Sequence, residues 1–417
     1  MQLHFRSAAK AAAVVVAFAG VVAGQAAAQN IKIAYIDPLS GAFANVGEAG
    51  AAQFQMVIDD INAKGGVLGG RKFELVKFDN KTSPQESLIQ FNAVTDQGIR
   101  YITQGNGSSV AGVLIDAVNK WNERNPDKTV LYLNYAAVDP DFTNDKCSFW
   151  HFRFDANSDM KMQALTNFIQ KKPAIKKVYL FNQDYQFGKQ VSKAANDMLK
   201  KKRPDVKIVG DEFIPLGKVK DFAPYVAKIK ASGADTIITG NWGNDLTLFV
   251  KAARDAGLKT DFYTYYGGGL GTPAALGAAA EGKVKQITEW HMNIPGTKVE
   301  EFAQAFKKKH KIEFYYGRVN NEMRMLTAAM NTAGSDDPAK VARAMEGMFL
   351  STEIGDIEMR KEDHQVMQNL YISTFTKADG KSVKYDVEDT GFGFKTDLEL
   401  PRKDTMLPTT CQMKRPA

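Results

Sequence analysis

From Ile31 onward, short β-branched runs alternate with amphipathic helical segments, and the alternation runs through twice around one break. A chain written this way folds as parallel sheets covered by helices. Ile31, Ile33 and Tyr35 open a strand leading into Pro38-Leu39-Ser40-Gly41, and a helix to about Ala63 follows with Phe54, Val57, Ile58 and Ile61 on one face. Strands at Phe73–Phe78, Ile99–Thr103 and Val130–Leu133 follow in turn, with helices opening near Pro84 and after Ser108-Ser109. The stretch Asp139–Asp159 interrupts the rhythm. The pattern then restarts with strands at Val178–Phe181, Ile208–Ile214, Thr236–Thr239 and Phe262–Tyr266, each separated by a helical segment. Helices centred on Phe302 and Leu326 come next, and Glu358–Lys384 reads as strands with a hairpin turn at Ala378-Asp379-Gly380. The expected fold class is α/β, with two doubly wound parallel-sheet lobes joined by several hinge crossings near 150 and 290. In this division residues 29–150 with about 292–355 form one lobe, and 151–291 with about 356–417 form the other.

The first 28 residues stand apart from this pattern. Arg6 and Lys10 precede an uncharged apolar run, Ala11–Ala23, and small residues end it at Gln25-Ala26-Ala27-Ala28. This order is that of a secretory signal peptide, and the run is too short to span a bilayer. Cleavage is expected near Gln29. No cysteine lies there for lipid attachment, so a soluble periplasmic protein is expected.

The formal charge is +7 before Arg6 and Lys10 leave with the leader. The basic runs Lys171-Lys172, Lys200–Arg203 and Lys307–Lys309 each close a helical segment, where cations complement the helix dipole. Aromatic residues do not interleave with them, so nucleic acid is not expected as a partner. Cys147 and Cys411 are the only two cysteines. In an oxidising compartment they make one disulfide closing a very long loop, worth on the order of 4–5 kcal/mol by chain entropy, or else remain two buried thiols. The five histidines lack ligand spacing, so neither metal nor cofactor is expected.

Three loops at strand ends carry the candidate site, since open α/β sheets bind ligands beyond the carboxyl ends of their strands. Gln104-Gly105-Asn106-Gly107-Ser108-Ser109 leads into a helix whose first N–H groups suit an anion, although helix capping by Ser109 alone would use the same residues. Asn134-Tyr135-Ala136-Ala137 offers backbone groups. Gly240-Asn241-Trp242-Gly243 sets an aromatic between glycines, either to stack on a ligand or as a partly buried surface residue. Gly-x-Ser-x-Gly, His-Glu-x-x-His, P-loop and dinucleotide motifs are missing. Binding is favoured over catalysis.

The chain resembles the periplasmic solute-binding proteins of the Leu/Ile/Val-binding type, which serve ABC importers. The resemblance is carried by Ile31-Lys32-Ile33 leading to Pro38–Gly41, by Asp59–Val67, by the Ser108-Ser109 loop, by Asp184-Tyr185-Gln186-Phe187-Gly188 and by Lys251–Leu258. It implies a non-enzymatic, monomeric carrier that holds a small molecule between two lobes and hands it to membrane permease subunits. It further implies Ser108 and Ser109 on a ligand carboxylate, backbone contacts from Ala136 and Ala137, Phe43 on the first lobe, and Tyr185 or Phe187 with Trp242 on the second. Two departures bear on the ligand. Val138 stands where amino-acid binders often carry Thr, and Gly267-Gly268-Gly269 where they place an acid. An ammonium without a carboxylate partner is costly to bury. The ligand is therefore a branched-chain or related amino acid, with Asp184 or Asp245 as substitute acceptors, or an aromatic or other organic acid. A sensor domain for a membrane receptor would use the same lobes.

Overall fold

The computed structural model describes residue 1 and residues 29–416, so the expected leader falls outside the described residues apart from Met1. Strands β1 (Ile31–Asp37), β2 (Phe73–Asp79), β3 (Tyr101–Gln104), β4 (Leu131–Asn134) and β5 (His151–Arg153) form a parallel sheet in the order β2-β1-β3-β4-β5. Ile33, Ala34, Tyr35 and Ile36 of β1 are all fully buried, because helices cover both faces of a parallel sheet and leave no solvent side. Strand β5 lies inside the stretch 139–159, which the sequence presents as a break. It is three residues long, too short to display a period of two.

The second sheet begins with β6 (Lys177–Gln183), β7 (Lys207–Ile214), β8 (Thr236–Thr239), β9 (Asp261–Thr264) and β10 (Val284–Thr288), all parallel. A small antiparallel sheet follows from β11 (Phe349–Ser351), β12 (Asp356–Met359) and β13 (Val366–Gln368). Strands β14 (Leu370–Lys377) and β15 (Phe392–Leu400) then return to the second sheet as an antiparallel edge, giving the order β15-β14-β10-β9-β8-β6-β7. The connection between β14 and β15 is therefore a long excursion of which Ala378-Asp379-Gly380 is the first turn. The three lysine runs end helices: Lys171 caps Ser158–Gln170, Lys200–Lys202 close Gln186–Lys202, and Lys307–Lys309 lie in the last turn of Glu300–His310.

Helices Glu300–His310 and Gly317–Ala333, with Ile357, Met359 and Val366 of the small sheet, pack into the core of the first sheet. Helix Ser158–Gln170 packs into the core of the second. The chain thus passes between the two lobes four times: after β5, after β10, between β13 and β14, and after β15, where the tail returns to the first lobe. The crossings are tied by buried charge. Lys161 Nζ is 2.7 Å from Asp155, and Arg318 Nη1 is 3.3 Å from Asp155 and 2.9 Å from Glu289. Each ion loses hydration there, so the network holds only because every charge has an opposite partner. Cys147 and Cys411 are disulfide-bonded, which attaches the C-terminal tail beside β5.

In the first sheet β1 has β2 on one side and β3 on the other, and in the second β6 lies between β7 and β8. Helices leave opposite faces at such switch points, which opens a crevice there. The loops after β1, β3, β6 and β8 are therefore the ones positioned to meet a ligand.

Candidate functional site

After β3 the chain runs through Gly105-Asn106-Gly107 into helix Ser108–Arg124, whose N-cap is Gly107 at φ +101°. That backbone angle favours glycine, and a Cβ at Gly105 would lie 2.7 Å from the Tyr135 ring. Asp37, at the end of β1, fixes this loop from beneath. Its carboxylate accepts from Asn106 N at 2.9 Å, Gly105 N at 3.3 Å and Tyr135 Oη at 2.8 Å. Burial raises the Asp37 pKa to about 6, while the bonds from Tyr135 and Asn106 oppose the rise. The amides of Gly105 and Asn106 are thus held by the protein, and the start of the helix at Ser108 is left to receive a ligand.

The loop after β4 is closed on itself: Asn134 Oδ1 accepts from Ala136 N and Ala137 N, and Asn134 Nδ2 donates to Ala137 O at 2.9 Å. From the second lobe, Trp242 Nε1 donates to Tyr185 Oη at 2.8 Å, which fixes the indole. Phe43 comes from the first lobe and stacks on Trp242 with ring centroids 4.3 Å apart. It fits there because Gly217 and Gly243 are bare: a Cβ at either would come within 2.8 Å of the Phe43 ring. Asn244 Nδ2 also donates to Ala42 O at 2.6 Å, and Asn45 Nδ2 donates to Asn244 Oδ1 at 3.3 Å. The lobes meet at this lip.

Between them lies a cavity of about 50 Å³. Ser108, Ala136, Ala137, Tyr185, Phe187 and Trp242 line it together. Phe43 is not in the wall but backs Trp242, and Ser109, one position further along the helix, is also outside the wall. Asn106 of the serine loop lines the cavity as well, as do Val46, Tyr266, Leu270, Tyr316 and Arg318, which do not stand out in the sequence. Tyr266 ends the aromatic run Phe262-Tyr263-Thr264-Tyr265-Tyr266, which reads only as core. Tyr316 and Arg318 arrive from a helix start far along the chain, and no local signal marks them. Among the described lining residues Arg318 is the single charged one. Asp184 is exposed and paired with Lys189 at 3.2 Å. Asp245 is buried and accepts from Gln183 Nε2 and Gly217 N, each at 2.8 Å. Neither reaches the cavity wall.

Two α/β lobes closing over a small cavity at their switch points define a cleft-type solute-binding protein. The chain belongs to the periplasmic binding protein family, whose model matches residues 30–381. It is 31% identical over 403 residues to Leu/Ile/Val-binding protein homolog 4 of Brucella abortus (strain 2308), covering 94% of this chain and 95% of that one. The crystal structure of the leucine-, isoleucine-, valine-, threonine- and alanine-binding protein of Brucella ovis, in its closed conformation, superposes with a TM-score of 0.82 at 30% identity, over 93% of this chain and 100% of that one. A solute-binding protein of an ABC transporter from Rhodopseudomonas palustris BisB5, in complex with 3,4-dihydroxybenzoic acid, shares the fold with a TM-score of 0.76 at 20% identity, over 90% and 98% of the two chains. The protein is a solute-binding protein of this family, not an enzyme.

Proposed function

We propose that the protein captures a small carboxylate with an apolar body, clamps it between the lobes and delivers it to the importer's permease subunits. It works as a monomer in the periplasm, exported through a cleaved leader ending near residue 28. Nucleic acid is not a partner. The moving bodies follow the two sheets, with the third crossing at Gln368–Leu370, later in the chain than residue 355, and the tail after β15 returning to the first lobe.

The carrying observation is Ser108: buried, at the first position of a helix, in the cavity wall, on a loop that Asp37 holds in place. Free N–H groups and the positive end of the helix dipole favour one negative group there. Trp242, fixed by Tyr185, covers the apolar part of the ligand, with Phe187, Ala136 and Ala137 around it. Relatives named for leucine, isoleucine and valine support an aliphatic amino acid as the ligand.

A second reading is supported by the wall itself. Among the described residues it carries no Asp or Glu, so an α-ammonium would be buried without a carboxylate, and an organic acid lacking the amine avoids that cost. A thermal-shift panel of branched-chain amino acids, their 2-oxo analogues, benzoates and the matching amides separates the readings. An acid at 100 times its dissociation constant stabilises by about 2.7 kcal/mol. Stabilisation by amides equal to that by the acids would remove the carboxylate clamp.

A further inference from the structure

The cleft wall holds a donor that the serine loop does not account for. Arg318, 3% exposed, lines both the ligand cavity and an adjoining chamber of about 60 Å³, and Tyr266, Gly269 and Tyr316 are shared by the two walls. Its guanidinium is held firmly on one side. Nη1 donates to Glu289 Oε1 at 3.0 Å and Oε2 at 2.9 Å and lies 3.3 Å from Asp155, while the Tyr316 ring lies 4.9 Å from Cζ. Nε has no partner among the described residues. Among the described residues the side-chain bonds of Arg318 leave from Nη1, and none accepts from the Nε–Nη2 edge. That edge is a rigid pair of parallel donors which cannot be neutralised by losing a proton, and it requires an oxygen acceptor.

The surrounding charges decide which kind of oxygen. Arg318 and Lys161 are matched by Asp155 and Glu289, all nearly fully buried, so the cluster is neutral without a ligand. A second full negative charge would enter with no counter-charge, whereas a hydroxyl or carbonyl oxygen needs none. An α-ammonium would face the guanidinium, while the carboxylates of Asp155 and Glu289 stand behind it and outside the cavity wall.

We infer that the ligand carries, besides the carboxylate at Ser108, an uncharged oxygen that Arg318 reads through Nε and Nη2, so that the solute class is oxygenated monocarboxylic acids: oxo acids, hydroxy acids or hydroxyaryl acids. This rests on the carboxylate reading of the cleft and narrows it.

The test is isothermal titration of the full mature chain with 4-methyl-2-oxopentanoate against 4-methylpentanoate, 4-hydroxybenzoate against benzoate, and L-leucine. In at least one pair the oxygenated acid binds tenfold or more tighter, roughly the discrimination expected when a buried donor is otherwise left unpaired. Arg318→Lys keeps the charge but loses the fork, and it shrinks that ratio to about threefold or less. If the variant does not fold, the wild-type ratios alone decide. Equal affinities within both pairs, L-leucine binding tightest of the five, or no binding by any of them would overturn the inference. Failure of the carboxylate reading has a separate signature: 4-methyl-2-oxopentanamide binding as tightly as the acid, whatever the oxygen comparison gives.

Discussion

Phe43 and Trp242 stack across the mouth of the cleft, centroids 4.3 Å apart, and the indole is held from behind by Tyr185. One ring belongs to each lobe, so the contact exists only when the lobes are closed. Its energy adds directly to the closed state and to any ligand that needs closure. Phe43→Ala removes the stack and much of the apolar burial at the lip, so we expect affinity to fall roughly tenfold, about 1–2 kcal/mol, with the melting temperature of the unliganded protein little changed. Small-angle scattering should report a larger radius of gyration for the variant at the same ligand concentration. A variant that closes as the wild type does would remove the lip from the mechanism.

Ser108 and Ser109 make a matched pair of substitutions. Ser108 lines the cavity and Ser109 does not, so Ser108→Ala should cost about 1.5–3 kcal/mol of binding through a lost charge-assisted hydrogen bond. Ser109→Ala should cost well under half of that. Titration calorimetry on the two variants checks the order.

Asp37 is expected to act on ligand affinity without touching the ligand. Asp37→Asn replaces one of the two acceptor oxygens by an NH2 group, which opposes either the Asn106 or the Gly105 N–H and loosens the loop. Affinity should drop by roughly tenfold or more, the penalty of one buried donor left unsatisfied. In wild-type protein the Asn106 amide proton shift should titrate with a midpoint near the Asp37 pKa of about 6, and that titration should vanish in Asp37→Asn.

Glu322 gives a pH dependence with a definite sign. It is fully buried, and burial raises its pKa to about 8. The folded state therefore holds a proton that the unfolded chain releases near its ordinary pKa of about 4.3. Its favourable contribution is complete below that value and is lost as pH rises to about 8. Glu322→Gln should gain stability relative to wild type between pH 6 and pH 8, by roughly 2–3 kcal/mol in urea unfolding. A difference that does not change with pH would mean that Glu322 does not titrate in this window.

The Cys147–Cys411 bond spans 264 residues and holds the tail beside β5. Reduction, or the double Cys→Ser variant, should cost about 2–5 kcal/mol and lower the melting temperature without altering ligand selectivity.

Much of this arrangement is legible in the sequence, and what is not has a common cause. The Gly105–Ser108 loop and the Gly240–Trp242 loop read directly, because a β-branched run ending in glycine before a helical period marks a strand end. Ser108 and Trp242 therefore stand out without knowledge of the fold. Asp37 does not stand out, because its meaning lies in a contact with Asn106, 69 residues away, and a lone Asp before Pro38 reads as a turn. Arg318 opens a helix that returns to the first core after two crossings, and nothing local distinguishes it from a solvated cation. Gly217 reads as an ordinary turn residue and Gly243 as a flank of Trp242, yet their lack of a Cβ is what admits the Phe43 ring.

The most direct measurement of the central claim is a calorimetric comparison of one acid with its primary amide, using the acid that stabilises the protein most. The helix start at Ser108 is built for a single negative charge, so the acid should bind at least about tenfold more tightly than the amide, and Ser108→Ala should reduce that ratio. Equal affinities for acid and amide, unaffected by Ser108→Ala, would contradict a carboxylate clamp between the lobes.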